Sequence, residues 1–194
     1  MKHLTVEELK AGLAEVAQSP KEEGQLKLIV RRPADGQREV LREGDLDLVI
    51  GLVGDNWKAR GSRHMPDGAA NPNAQVTIMN ARVIGLLARE EERWPLAGDQ
   101  LYVDFDLSAG NIPPGTQLAI GGAVLEVTAQ PHAGCKKFAE RFGVESVEFM
   151  NSPEKKEMQL RGINSKVVRP GVIRVGDSVR KTPGAVKNFS PVGL

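Results

Sequence analysis

Cys135 is the only cysteine among the 194 residues of the chain, and it stands where a thiol can become reactive. The alternating segment Leu125-Glu126-Val127-Thr128 runs into the turn Ala129-Gln130-Pro131-His132-Ala133-Gly134, and Lys136 and Lys137 follow the cysteine at once. Residues 135–143 read as a short helix, with Phe138 and Phe142 on one face and Gly143 as its stop. Gly134 lets the backbone turn sharply, which puts Cys135 at the helix N-terminus. Unpaired N–H groups and partial positive charge collect there. Together with two ammonium groups, they favour the thiolate, which is both a nucleophile and a soft metal ligand. The competing reading is a small buried hydrophobe, the usual fate of a lone cysteine. His132, three residues upstream, is the candidate base of a Cys–His pair, its alternative being a residue that only lines the turn.

Other chemistries are excluded. There is no phosphate-binding glycine loop, no dinucleotide fingerprint and no Gly-x-Ser-x-Gly elbow. His3, His64 and His132 lack metal-ligand spacing, and one cysteine cannot build a cysteine-rich zinc site or an internal disulfide. A formal net charge of +1 speaks against a general nucleic-acid binder. No apolar run reaches membrane-spanning length and the N-terminus lacks a secretory segment, so the expected location is the cytoplasm, with no membrane partner.

The elements that must position Cys135 are mostly strands. Glycine and proline are plentiful and aromatics few, which suits short strands joined by tight turns. Residues 4–18 predict a helix, with a capping box at Thr5 and Glu8 and Val6, Leu9, Leu13 and Val16 on one face. This helix is read as an extension, residues 1–20, docked on a body of residues 21–182, with a loose tail over 183–194. Strands are expected over 26–30, 38–41, 46–53 and 76–79, with a helix over 81–89. Clean alternation over 101–107 predicts a half-buried strand, and Gly121-Gly122 a hairpin turn. Residues 58–75 read as a long polar loop and those after Gly143 as a polar link. Residues 161–168 and 172–179 read as a strand pair. Many strands and few helices predict a mainly β fold, a closed or nearly closed barrel with a few short helices.

In order, Gly54-Asp55-Asn56-Trp57, Asn111 with Pro114-Gly115, Ile120-Gly121, Leu125-Glu126-Val127-Thr128, Cys135-Lys136-Lys137-Phe138, Arg161-Gly162-Ile163 and Gly171–Val179 resemble the MOSC domain, named for the C-terminal domain of molybdenum cofactor sulfurases. Many members place Pro-Cys where this chain has Gly134-Cys135. The resemblance, to a standalone bacterial-type member, implies a β-barrel. It also implies a cysteine that either carries sulfur as a persulfide or ligates molybdenum in molybdopterin cofactor. Cys135 is the residue at that position, with His132 as a second catalytic candidate. Lys136, Lys137, Arg161, Asn111, Asp55, Arg63 and His64 are the implied cofactor-binding residues. No part of the chain could be a pyridoxal-phosphate desulfurase, so that cofactor would act only through a separate cysteine desulfurase or other sulfur donor. The implied acceptor is a molybdenum-cofactor protein. Three functions follow: a sulfurtransferase-type sulfur carrier, an oxidoreductase that reduces N-hydroxylated compounds, or a non-enzymatic barrel that binds a small ligand or partner. The sequence carries no signal for oligomeric state.

Overall fold

The structure, a computed structural model, describes residues 3–63 and 65–182. The tail expected over 183–194 lies outside the described residues. The N-terminal helix α1 spans Val6–Val16, and its Thr5 and Glu8 form the expected capping box. The chain then enters β1 (Glu23–Arg31), where apolar and polar residues alternate. A register shift between Leu26 and Leu28, where β1 meets a neighbouring strand, changes that alternation. Leu26 and Ile29 therefore join one apolar core and Leu28 and Val30 another.

Ten more strands follow: β2 (Glu39–Leu41), β3 (Glu43–Asp47), β4 (Gly51–Leu52), β5 (Val76–Asn80), β6 (Leu101–Asp104), β7 (Gln117–Ile120), β8 (Ala123–Val127), β9 (Ile163–Arg169), β10 (Gly171–Arg174) and β11 (Ser178–Lys181). The helices are α2 (Trp57–Arg60), α3 (Ala81–Ala88), α4 (Lys136–Phe142) and α5 (Val144–Asn151). Short 3-10 turns cover Pro72–Ala74, Glu91–Ala97 and Pro153–Met158. The main sheet runs β11-β7-β8-β9-β5-β6-β1-β2, and a further β11–β1 pairing closes seven of these strands into a barrel. All its pairings are antiparallel except β5 with β6, which α3 and the turn after it connect. A small sheet, β10-β3-β4, lies beside the barrel.

The barrel interior is filled by residues such as Ile78, Leu101, Val103, Leu118, Leu125 and Ile163. A second core, with Met79, Tyr102, Phe138 and Phe142, joins the barrel wall to α1, α3, α4 and α5. Both faces of β6 are thus covered, so Leu101, Tyr102 and Val103 are all buried where alternation predicts a half-buried strand. Among the described residues no helix is long and apolar enough to cross a membrane.

Three further expectations are corrected. Residues 46–53 form a hairpin: the Asp47 carboxylate accepts the N–H groups of Val49 and Ile50, and Gly51 has a φ of 74°. Those two contacts stabilise a turn inside an apolar run. Residues 163–169 and 171–174 do not pair with each other; β9 runs between β8 and β5, whereas β10 leaves for β3. After Gly143 the chain makes α5, with Ser146 and Met150 on its buried side.

Candidate functional site

Cys135 is the N-cap residue of α4 and is exposed, so the buried-hydrophobe reading does not hold. The helix ends at Gly143, with a φ of 96°, as expected. The approach to Cys135 is fixed from outside. Thr128 donates its N–H to the Asn164 carbonyl, and Asn164 Nδ2 donates to the carbonyls of Gln130 and Pro131 at 3.1 and 3.0 Å. Thr128 Oγ1 also donates to the Asn73 carbonyl at the end of the long polar loop. Gly134 then lies against α5, where an added Cβ would stand 3.0 Å from Val147. The proline found before the cysteine in many MOSC members is replaced here by the one residue without a Cβ.

Residues 128–133 wall a cleft of about 470 Å³, whose other wall is the turn Gln159–Asn164. Three groups meet at its base. His132 Nε2 stands 2.7 Å from Asp99 Oδ1, and Arg161 Nη1 donates to Asp99 Oδ2 at 2.7 Å. Arg161 Nη2 donates to the Ala97 carbonyl at 3.1 Å. Its guanidinium also lies 4.5 Å over the ring of Phe138, a cation–π contact. The Cys-Lys-Lys-Phe and Arg-Gly-Ile motifs, far apart in sequence, thus meet face to face.

Asp99 is fully buried. Burial raises its carboxyl, but Arg161 and His132 outweigh it and hold the group below its ordinary range. Burial and then Arg161 push His132 down, against the pull of Asp99. An ionised carboxylate beside a neutral imidazole requires the proton on Nε2, which leaves Nδ1 as the acceptor. His132 lines the cleft, so a proton acceptor is held there in one tautomer. The sign of the pH effect follows. The folded state keeps His132 neutral below its ordinary value of 6.5, whereas the unfolded chain takes up a proton there. Stability is fully present above that value and falls as pH drops below it, towards the lower folded pKa. Urea unfolding from pH 8 to 5 is expected to show this loss, and a His132→Gln protein to lack that part of the slope.

Two buried atoms on the Gln159–Gly162 turn have no partner among the described residues: Arg161 Nε and Gln159 Oε1. Gln159 itself is in the left-handed region, with a φ of 48°. Strain of this kind in a non-glycine residue collects at functional sites.

The other expected site residues are spread out. Lys136 and Lys137 are exposed beside Cys135, and Lys137 pairs with Asp35 at 3.1 Å. Asp55 is taken up by Arg32 through three contacts of 2.8 Å. Asn111 donates to the Asp106 carbonyl and accepts from Lys181, and it is not among the residues that line the cleft. Arg63 is exposed, and His64 lies outside the described residues. Asp99 and Gln159 are not foreseen from sequence. Gly98-Asp99 has the same look as Gly44-Asp45, which the structure places inside β3 instead of in a turn, and as Gly176-Asp177, which lies between β10 and β11, and no local signal separates them.

The model of the MOSC domain family matches residues 55–180. Among solved structures, the YUAD protein from Bacillus subtilis is similar with a TM-score of 0.56 at 16% identity, covering 81% of this chain and 94% of that one. YiiM from Escherichia coli is similar with a TM-score of 0.53 at 20% identity, covering 83% of this chain and 71% of that one. These likenesses show the fold. No curated protein matches the chain.

Proposed function

The chain belongs to the MOSC domain family, and from that premise we propose that it is a sulfur carrier, with Cys135 as the atom-bearing residue. The exposure of Cys135 at the head of α4, where the cleft wall ends, carries this reading. A thiol that meets a donor protein and then an acceptor has to be reachable from solvent. The Cys135 thiolate attacks the sulfane sulfur of a donor persulfide, such as that of a cysteine desulfurase. The S–S bond of the donor breaks, a new S–S bond forms on Cys135, and the donor leaves as its thiol with no net change of oxidation state. In this reading His132, three residues before Cys135 on the cleft wall, takes the proton of Cys135 on Nδ1 and returns it to the leaving thiolate. With no second cysteine, the persulfide cannot discharge as an internal disulfide and passes to the acceptor.

The family is linked to molybdenum cofactor, and the residues fit such a group. The cleft presents a buried donor, Arg161 Nε, and a buried acceptor, Gln159 Oε1, neither with a partner among the described residues, and Lys156 also lines it. Arg161, Gln159 and Lys156 would hold its heteroatoms and phosphate, and what it would supply there is the metal centre to which sulfur is delivered. The same two unpartnered atoms favour a second reading, an oxidoreductase acting on N-hydroxylated compounds with Cys135 as a molybdenum ligand.

Intact-mass spectrometry after incubation with a cysteine desulfurase and free cysteine separates the two. A gain of one sulfur is expected, lost on mild reduction and absent from Cys135→Ala. That exposed substitution should change stability by no more than about 0.5 kcal/mol. No gain on a thiol that is still alkylated would reject the carrier role and favour metal ligation, read out as molybdenum content.

A further inference from the structure

Asp99 is held from two directions, and both lead back to the start of β9. Arg161 reaches Asp99 Oδ2 directly. Three residues later Asn164, opposite Thr77 on β5, reaches the segment that carries the other partner of Asp99. Asn164 is 3% exposed, and its Nδ2 donates to two successive carbonyls, Gln130 at 3.1 Å and Pro131 at 3.0 Å. A carbonyl only accepts, so the amide sits one way round, and the two protons of its nitrogen match the two carbonyls. The Pro131 carbonyl belongs to the peptide unit that joins His132, and His132 Nε2 stands 2.7 Å from Asp99 Oδ1. Asp99, Arg161, the start of β9, Asn164, residues 130–132 and Asp99 again therefore close into a ring.

Little else fixes this segment. Residues 130–134 belong to no helix or strand. The ring of Pro131 locks its own φ and restricts Gln130 before it. The orientation of the two carbonyls is the freedom that is left, and Asn164 removes it. The other side-chain contacts of the turn, Asn71 Nδ2 to Gln130 Oε1 and Thr128 Oγ1 to the Asn73 carbonyl, are at the exposed surface, where water competes for the same groups. The charged groups that act on His132 are Asp99 and Arg161, with a smaller contribution from Arg32. Asn164 is neutral, so replacing its amide by an uncharged group of similar size reaches His132 by moving it.

We propose that Asn164 is a positioning residue: its amide, forked onto the Gln130 and Pro131 carbonyls, holds His132 on Asp99 and so keeps Nδ1 as the proton acceptor for Cys135. The role towards Cys135 rests on the sulfur-carrier reading; the hold on His132 does not. Without the fork, residues 130–132 swing away from β9 and His132 exchanges the carboxylate for water.

The test is Asn164→Leu, close to asparagine in size but without a donor, followed in two ways. The His132 titration, recorded by proton NMR with no sulfur donor present, has its midpoint below the ordinary value of 6.5 in the parent and should rise towards that value in the variant. The initial rate of sulfur uptake on Cys135 should fall by about a hundredfold, the lower end of what a positioned general base contributes. Thr128→Val removes the hydroxyl contacts of the same turn with the Asn73 and Asn164 carbonyls but leaves the fork, so it should match the parent in both. Asn164→Ser, whose hydroxyl has one proton and a shorter reach, is the milder variant and decides the matter if Asn164→Leu does not fold. A His132 midpoint unchanged in the folded variant would overturn the proposal whatever the uptake rate. An equal rise in Thr128→Val would also overturn it, because any loosening of the turn would then suffice. If the parent takes up no sulfur, the carrier reading fails, and the titration alone decides whether Asn164 holds His132.

Discussion

An Asp99→Ala protein is expected to lose about 3–5 kcal/mol of unfolding free energy, the scale for breaking a buried ion pair by removing one partner. Asp99 is fully buried, and its two oxygens take the His132 imidazole and the Arg161 guanidinium. Without it, Arg161, with a side chain 7% exposed, keeps only the Ala97 carbonyl and the Phe138 ring. The cost is the desolvation of a charge left without compensation, and it exceeds what the pair contributed when intact. For a domain of this size the melting midpoint should drop by about 2–4 °C per kcal/mol. A double variant, Asp99→Ala with Arg161→Met, should recover much of that stability because both buried charges are gone. It should not recover sulfur uptake on Cys135, because His132 no longer has the carboxylate that sets its tautomer. If the single variant melted with the parent, Arg161 would have another buried counter-charge and the description of the cleft base would be wrong.

Gly162→Ala is expected to be nearly as damaging. Gly162 has a φ of 100°, where a residue with a side chain is strained by about 1–3 kcal/mol. A Cβ here would also meet the Ile78 carbonyl oxygen at 2.3 Å. That oxygen belongs to the middle of β5, opposite Ile163 on β9, and cannot swing away as a side chain could. The turn that carries Gln159 and Arg161 must therefore move off the barrel wall, taking the guanidinium away from Asp99 and Phe138. Two other glycines separate the contributions. Gly36, with a φ of 78° and nothing within 4 Å of the added atom, should show strain alone on conversion to alanine. Gly110 has open space and no positive φ, and its alanine variant should melt with the parent. Equal midpoints for Gly162→Ala and Gly36→Ala would show that the turn yields easily. The Arg-Gly-Ile motif would then need a reason other than close approach to β5.

Much of the fold was legible in the sequence because the physics involved is local. The Thr5–Glu8 capping box, the Gly121-Gly122 hairpin, α3 and the stop of α4 at Gly143 each depend on residues within a few positions. So does the placing of Cys135 at the head of its helix. The order of the MOSC motifs identified the family, and strand-rich composition suggested a barrel.

What the tertiary structure decided is everything that depends on distant partners or on burial. Closure of the barrel needs β1 to meet β11 across nearly the whole chain. The apolar run over 46–53 had to be folded in space before Asp47 and Gly51 could be seen to break it. Asp99 shows this most plainly. As a residue type after glycine it is indistinguishable from Asp45 or Asp177. It became the centre of the cleft base only when His132, 33 positions away, and Arg161, 62 positions away, were brought to its two oxygens. A carboxylate becomes a site when it loses water and acquires fixed partners, and both conditions are properties of packing. The local sequence therefore determined where the exposed thiol stands, Cys135 at the head of α4. Packing of α4 and the Gln159–Gly162 turn against residues 97–99 decided which charged groups lie beside it.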